Sequence, residues 1–173
     1  FEGIKQLKAI TFEAGTNIVI GERAFAGNEK LYTLTYAEGS AIQRIGKEAF
    51  ADCILLTEAI IPATTTAVDD GAFSGCEGIL NVTFQSRETS IAFGSNVFAG
   101  CKKLTTINLP ASLNYFDGTV FSGCDAITQI IVDEANQDFV TYGGALYSKN
   151  YEEILFYPRN LDGDLTKLHP DLK

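Results

Sequence analysis

Four cysteines are the residues of this chain whose type and spacing could best support chemistry. They are Cys53, Cys76, Cys101 and Cys124, separated by 23, 25 and 23 residues. A structural zinc site needs thiolates or imidazoles at close spacing such as C-x-x-C, which does not occur here, and the chain has one histidine. The spacing therefore argues against a zinc site and leaves a choice between free thiols and disulfides.

The same spacing bears on that choice. If the chain coils with this period, equivalent cysteines on neighbouring coils lie about 4.8 Å apart, inside the Cα range of about 4.4–6.8 Å for a disulfide. Their side chains would nevertheless point in parallel, and Ile4 takes the equivalent position in another repeat. A free cysteine serves as a small apolar residue in such a position. We predict four reduced, buried thiols, with disulfides as the alternative.

Other candidates for catalysis or metal binding are sparse. His169 is the only histidine, and we expect it on the surface near the end of the chain. The acid pairs Asp69-Asp70 and Glu152-Glu153 are neighbours in sequence, so their side chains diverge on a strand or turn. Asp162-Gly163-Asp164 is the nearest candidate for weak calcium binding, but it lacks further oxygen ligands at regular spacing. We therefore predict no enzyme, no cofactor and no metal site.

The charge of the chain excludes a further class of function. Twenty-two acidic and thirteen basic residues give a net charge of −9, without a basic stripe. Nucleic-acid-binding proteins generally need clustered Lys and Arg to displace counterions. No apolar run approaches the roughly 18–20 residues that span a membrane. We expect neither nucleic-acid binding nor membrane insertion of this segment.

A repeated phenylalanine reveals the elements that position these residues. Phe25, Phe50, Phe73, Phe98 and Phe121 each lie in a near-copy of the phrase A-F-x-G-C, and Phe1 lies 24 residues before the first. A period in the twenties is typical of a solenoid, in which each repeat packs on its neighbours. We predict that these phenylalanines are buried and stacked on one another.

An apolar L-x-x-L-x-L pattern follows each phenylalanine, as in Leu104, Ile107 and Leu109. Its last three positions alternate apolar, polar, apolar, which is typical of a strand with one buried face. A further apolar position comes five residues before each phenylalanine from Phe25 to Phe121, as at Ile20 and Ile45. Stacked repeats should give parallel strands on one side and irregular or short helical segments on the other.

These motifs together resemble the BspA-like, or Treponema pallidum-type, leucine-rich repeat. The best match is Ile45-Gly46-Lys47-Glu48-Ala49-Phe50-Ala51-Asp52-Cys53 with Ile61-Pro62, and the resemblance covers roughly residues 1–158. The sequence departs from the pattern where Ile4 and Asn28 replace the cysteine and Val68-Asp69 replaces Ile-Gly. The resemblance implies a leucine-rich-repeat solenoid of parallel strands.

The repeat plan changes after residue 133. Residues 1–133 hold about six repeats, the first truncated, and residues 134–158 resemble a β-hairpin module that interrupts such repeats. Residues 159–173 have the pattern of a further truncated repeat. Tyr147 and Tyr151 in the module are candidate contact residues, because aromatic side chains with a polar tip are enriched at interfaces. We expect the module to cap the hydrophobic end of the solenoid, with ligand contact as the alternative.

The outward side of the L-x-x-L-x-L strands is the candidate ligand-contact face. Its residues are mostly small, neutral and polar, which suits broad contact with a protein or glycan and equally suits a solvated sheet. The candidate residues are Thr33, Thr35, Glu58, Ile60, Asn81, Thr83, Thr106, Asn108, Gln129 and Ile131.

The resemblance also directs the functional expectation. It implies a cell-surface or extracellular protein that adheres to host matrix proteins or other cells, so we expect a monomeric, non-enzymatic module binding a protein or a glycan. The alternative is a structural spacer that displays another part of the molecule. Because the chain opens within a repeat and contains no methionine, we expect it to be a piece of a longer protein.

Overall fold

The computed structural model describes residues 1–86, 89–160 and 168–172. Within these residues the chain forms short strands joined by turns, without an α-helix. The strands are β1 Ala9–Phe12, β2 Gly15–Ile20, β3 Thr33–Tyr36, β4 Ser40–Ile45, β5 Glu58–Ile61, β6 Ala67–Val68, β7 Asn81–Phe84, β8 Ile91–Phe93, β9 Thr106–Leu109, β10 Leu113–Tyr115, β11 Gln129–Val132, β12 Phe139–Tyr142, β13 Ala145–Ser148 and β14 Ile154–Phe156.

The coils of the solenoid have two rows of strands and one side of turns. The first strand row contains β1, β3, β5, β7, β9 and β11, which are the predicted L-x-x-L-x-L strands, and their pairing is parallel as predicted. The second strand row is a continuous parallel sheet in the order β10-β8-β6-β4-β2. The turn side carries the six repeated phenylalanines, which we call the ladder phenylalanines: Phe1, Phe25, Phe50, Phe73, Phe98 and Phe121.

The second strand row corrects the sequence-based expectation of irregular or short helical segments. The return segment β2 contains the β-branched run Ile18-Val19-Ile20, which favours an extended, half-buried conformation. Their neighbours on adjacent coils carry the same apolar positions, Ile45 and Val68. Each short segment is therefore stabilised by pairing across coils, which a single repeat read alone does not show.

In the first strand row, hydrogen-bonded ladders join the strands of neighbouring coils two at a time. Ladders join β1 to β3, β5 to β7 and β9 to β11, where the paired residues are 24, 23 and 23 positions apart. In the described part of the chain no ladder joins β3 to β5 or β7 to β9, where the repeat is 25 residues long. The longer repeats carry their additional residues in the corner after the strand, which offsets that strand from the next coil.

The phenylalanine ladder is confirmed, with one correction. Rings of successive ladder phenylalanines stack with centroid distances of 5.2–5.9 Å and interplanar angles of 7–11°. Phe50, Phe73, Phe98 and Phe121 are buried. Phe25 is only half-buried, because its other neighbour in the stack is the exposed Phe1.

The cysteine positions are confirmed as buried, and all four are free thiols. They are not purely apolar positions, however. The Sγ–H of Cys76 donates to the carbonyl of Phe50 at 3.0 Å, and Cys124 donates to Phe98 at 3.0 Å. Asn28 uses its amide in the same way towards Phe1 and Phe25. The expectation of an apolar position was based on Ile4, which is in fact exposed. The buried copies of this position are therefore occupied by small hydrogen-bond donors.

These buried thiols should be almost unreactive in the native protein. All four sulfurs are buried, which limits the access of a reagent, and burial also raises the pKa of the Cys76 thiol well above its ordinary value. We expect a thiol reagent to modify the folded protein slowly and all four cysteines after denaturation without reductant. A mass that corresponds to one or two disulfides would contradict this expectation.

The segment after β11 forms a three-stranded antiparallel sheet, in the order β12-β13-β14, instead of a simple hairpin. Phe139 packs on Phe116 with a centroid distance of 4.8 Å, and Phe156 meets Phe121 edge-on at 5.6 Å. Phe156 thus covers the last ring of the ladder. This packing supports a capping role for the sheet.

Two glycines offer a test of the turn geometry. Gly100 has φ +74°, and its neighbours leave room for a Cβ, whereas Gly21 has no positive φ and open space around it. Gly100→Ala should cost about 1–2 kcal/mol because the left-handed conformation is strained for alanine. Gly21→Ala should stabilise by about 0.4–1 kcal/mol through the unfolded state. Urea denaturation measures both, and effects of the same sign would contradict the assigned turn conformation.

Candidate ligand-binding face

The first strand row carries the predicted contact residues on its outward side. Side chains alternate along each strand, so that in β9 Ile107 and Leu109 enter the core while Asn108 is exposed. All ten predicted residues are partly or fully exposed: Thr33, Thr35, Glu58, Ile60, Asn81, Thr83, Thr106, Asn108, Gln129 and Ile131. The row therefore presents one surface that a ligand could reach.

Three of the predicted residues line a groove on this face. The groove has a volume of about 390 Å³ and crosses β7, β9 and β11, where Thr83, Asn108 and Ile131 lie. Its other lining residues are Val82, Phe84, Leu109, Pro110 and Asp133. The groove also includes the boundary between β7 and β9, where the first-row ladder is interrupted. The interruption and the cavity thus coincide.

The groove combines apolar surface with a few polar groups. Ile131 is 44% exposed and supplies apolar surface beside the hydroxyl of Thr83 and the amide of Asn108. Thr83 Oγ1 donates to Glu58 Oε1 at 2.5 Å, which orients that carboxylate along the strand face. Asp133 Oδ1 accepts the backbone N–H of Ala135 at 2.8 Å. Mixed surfaces of this kind are typical of binding sites, which place few polar groups in an apolar setting.

The described residues offer no site for metal chemistry. They contain no group of three His, Cys, Asp or Glu side chains that could hold a metal ion. The calcium candidate Asp162-Gly163-Asp164 lies outside the described residues, as does most of the predicted further repeat at 159–173. None of the described segments is a helix long and apolar enough to cross a membrane.

The position of His169 differs from the expected exposed site. Its ring stacks on Tyr151 with a centroid distance of 3.6 Å and meets the edge of Tyr142 at 4.7 Å. Its side chain is 15% exposed, and its backbone N–H donates to Tyr147 Oη at 3.2 Å. The histidine therefore packs against the antiparallel sheet.

The two tyrosines predicted as contacts in the module have different environments. Tyr147 is fully buried, so the prediction that its side chain contacts a ligand is wrong. Its ring fills the interior of the capping sheet, and its neighbour Leu146 is buried as well. Tyr151 is half-buried and its ring is covered by His169.

Some residues that line the groove were not predicted from the sequence as contacts, among them Phe84, Pro110 and Asp133. Pro110 and Asp133 occupy the position one residue after the first-row strands, where the chain turns towards the second row. They could have been found by following each column of equivalent positions past the end of the strand. Finding them in this way requires knowing that the turn after each first-row strand folds back over the outward side of the row.

Comparison with known proteins agrees with this geometry. Six copies of the BspA type leucine-rich repeat region match the chain, over residues 1–128 and 43–160. No curated protein sequence matches. The structure of the pneumococcal vaccine antigen PcpA is similar, with a TM-score of 0.73 and 24% identity over 87% of this chain and 36% of that protein.

Two further solved structures have the same fold. A leucine-rich cell surface protein from Faecalibacterium prausnitzii gives a TM-score of 0.61 at 24% identity, over 88% of this chain and 46% of the other. A leucine-rich repeat protein from Eubacterium ventriosum gives 0.53 at 21% identity, over 78% and 41%. The chain thus spans less than half the length of these relatives. Together with the six matching repeats, the solenoid identifies the chain as a member of the BspA-type leucine-rich repeat family.

Proposed function

We propose that this chain is a non-enzymatic, monomeric binding module at the cell surface, which recognises an extracellular protein or a glycan through the outward side of its first strand row. The groove at Thr83, Asn108 and Ile131 carries the proposal. It contains three of the residues expected to contact a ligand, and it offers exposed apolar surface within a mostly uncharged polar face.

Family and fold support the class of function. Proteins built from leucine-rich repeats are typically non-catalytic, and this chain belongs to their BspA type. The similar F. prausnitzii protein is a cell surface protein. A solenoid also suits the role physically, because stacked repeats create an extended surface for contact. The contact residues of the first strand row are accordingly the part of the chain to test.

The test compares two threonines at equivalent positions on different coils. Thr83→Arg places a large cation in the groove, whereas Thr11→Arg makes the same change on β1, outside it. Both residues are exposed, so neither change should alter stability by more than about 0.5 kcal/mol. Binding is measured on immobilised extracellular matrix proteins and on a glycan array.

The proposal expects the unmodified protein to bind at least one probe. Thr83→Arg should weaken that binding about tenfold or more, a loss of about 1.4 kcal/mol, while Thr11→Arg leaves it unchanged. Equal binding by the two variants would place the contact elsewhere. Binding to none of the probes would favour the alternative function, a structural spacer that displays another part of the protein.

A further inference from the structure

A second surface with the composition of an interface lies at the corner between the turn side and the first strand row. We call it the corner surface and define it as the fourth to seventh residues after each ladder phenylalanine. Each coil makes a tight turn here, such as the bond from Leu56 N–H to the Cys53 carbonyl at 3.0 Å. In this turn the two central residues, Ile54 and Leu55, face outward. The corner surface comprises residues 5–8, 29–32, 54–57, 77–80, 102–105 and 125–128.

The centre of the corner surface is apolar and exposed. Tyr32, Ile54, Leu55 and Leu80 lie on three consecutive coils and are 49%, 40%, 52% and 46% exposed. Gly78 occupies the coil next to Leu55, and its backbone rests so closely on the carbonyl of Ile54 that an added Cβ would lie 2.6 Å from it. With no side chain at residue 78, the adjacent coil leaves Leu55 uncovered.

Lysines flank the apolar centre of the corner surface on both sides. Five of the chain's lysines lie here, namely Lys5, Lys8, Lys30, Lys102 and Lys103, against the three acids Glu29, Glu77 and Asp125. Glu77 is paired with Lys102 at 2.6 Å, and Asp125 is paired with Arg159 at 3.2 Å. Within the described residues, the other four lysines have no ion-pair partner. In a chain of net charge −9, this local excess of cations stands out.

A groove adjoins the apolar centre on its N-terminal side. It has a volume of about 560 Å³ and is lined by Lys5, Gln6, Glu29 and Lys30, with Gly3 and Gly27. Lys30 Nζ donates to Gln6 Oε1 at 3.2 Å across it. The corner surface thus has an apolar centre with a large tyrosine, a charged rim and a concavity, which is the usual anatomy of a protein interface.

We propose that the corner surface binds a protein partner through an acidic amphipathic helix. Leucine and phenylalanine side chains of such a helix would cover Leu55 and Leu80, and its carboxylates would lie near Lys30 and Lys103. Charge complementarity selects this occupant, since the unpaired rim groups are predominantly cations. An anionic membrane is disfavoured, because three acids lie among the five lysines of the corner surface and the whole chain has a net charge of −9, which the negative surface potential of such a membrane repels. The proposal is independent of the first-strand-row groove.

The experiment uses a fluorescein-labelled amphipathic helical peptide of about 18 residues, with leucine on one face and glutamate on the other. Its counterpart carries lysine in place of glutamate. Fluorescence anisotropy should show that the acidic peptide binds about tenfold or more tightly than the basic one. Its affinity should fall as the salt concentration rises.

Substitutions then locate the contact. Leu55→Ser with Leu80→Ser should weaken acidic-peptide binding about tenfold or more, without changing the melting temperature, because both side chains are exposed. Lys30→Glu with Lys103→Glu should reverse the peptide preference. The matched control, Val19→Ser with Tyr115→Ser, removes two exposed apolar residues from the second strand row and should leave binding unchanged.

Three outcomes would overturn the proposal. The first is equal binding of the two peptides, or none of the acidic peptide. The second is full affinity in the double serine variant at Leu55 and Leu80. The third is binding to vesicles that contain phosphatidylserine in preference to the acidic peptide, which would make the corner surface a membrane-binding surface.

Discussion

Replacing Phe73 with alanine is expected to destabilise the protein by about 3–5 kcal/mol, through lost burial and the cavity that remains. Phe73 is fully buried, and its ring stacks between Phe50 at 5.2 Å and Phe98 at 5.5 Å. The rigid backbone on either side limits collapse of the cavity, since the N–H of Phe73 is bonded to the Val97 carbonyl and the N–H of Phe50 to that of Ala72. Urea denaturation monitored by circular dichroism measures the loss.

Phe25 provides the matched control within the same ladder. It makes the same stacking contact with Phe50, at 5.4 Å, but it is only half-buried. Phe25→Ala should therefore cost clearly less than Phe73→Ala, because less apolar surface leaves the core. A loss below about 1 kcal/mol for Phe73→Ala, or equal losses for the two variants, would contradict the assignment of this ladder as the core of the solenoid.

Much of the fold could be predicted because successive repeats carry the same residue pattern, so each repeat supports the same interpretation. The phenylalanine column and the parallel first-row strands rest on positions that agree in phase, such as Phe50 with Ala59 and Ile61. The second strand row was not predicted, since two-residue strands such as β6 form only through their neighbours on adjacent coils. Pairing between coils depends on tertiary structure, so the strand propensity of the residues in one repeat does not reveal it.

The candidate sites were predictable to different degrees. Alternation along each strand correctly placed Thr83 and Asn108 on an exposed face, but the groove depends on an interrupted ladder between 25-residue repeats. Tyr147 was misassigned because an aromatic residue with a polar tip suits an interface and a core equally. In this case the antiparallel sheet buries the ring, and the hydroxyl finds a partner in the backbone of His169.

The second large effect is expected at Asn136, which joins the antiparallel sheet to the last coil. Its side chain is fully buried. Nδ2 donates to the carbonyls of Pro110 at 2.8 Å and Leu113 at 3.0 Å. Oδ1 accepts the N–H groups of Asp138 at 2.9 Å and Phe139 at 2.8 Å. Every hydrogen-bonding group of the amide is therefore used, and the contacts span the boundary between the repeats and the cap.

Asn136→Ala should destabilise the protein by roughly 2–4 kcal/mol, because each buried backbone group that loses its hydrogen-bond partner costs about 1–3 kcal/mol. Water can replace the lost partner only for those groups that lie nearest the surface. Loss of this link should also free the cap, so the amide of Phe139 should exchange with solvent faster. Hydrogen exchange and urea denaturation measure the two effects. A loss below about 1 kcal/mol with unchanged exchange would show that Phe139 and Phe156 hold the cap without the amide.

Asn136→Asp distinguishes the hydrogen bonds that Nδ2 donates from those that Oδ1 accepts. The aspartate keeps an acceptor for Asp138 and Phe139, but it turns a second oxygen towards the carbonyls of Pro110 and Leu113, and burial favours its neutral form. Its pKa should therefore be higher in the folded than in the unfolded state, so the variant is relatively more stable at low pH and loses that stability as pH rises through the folded-state value.

A protonated acid can donate one hydrogen bond where Asn136 donates two. Asn136→Asp should accordingly approach the stability of the unmodified protein in acid and fall to that of Asn136→Ala or below at neutral pH, whereas a pH-independent loss would place this side chain in contact with solvent.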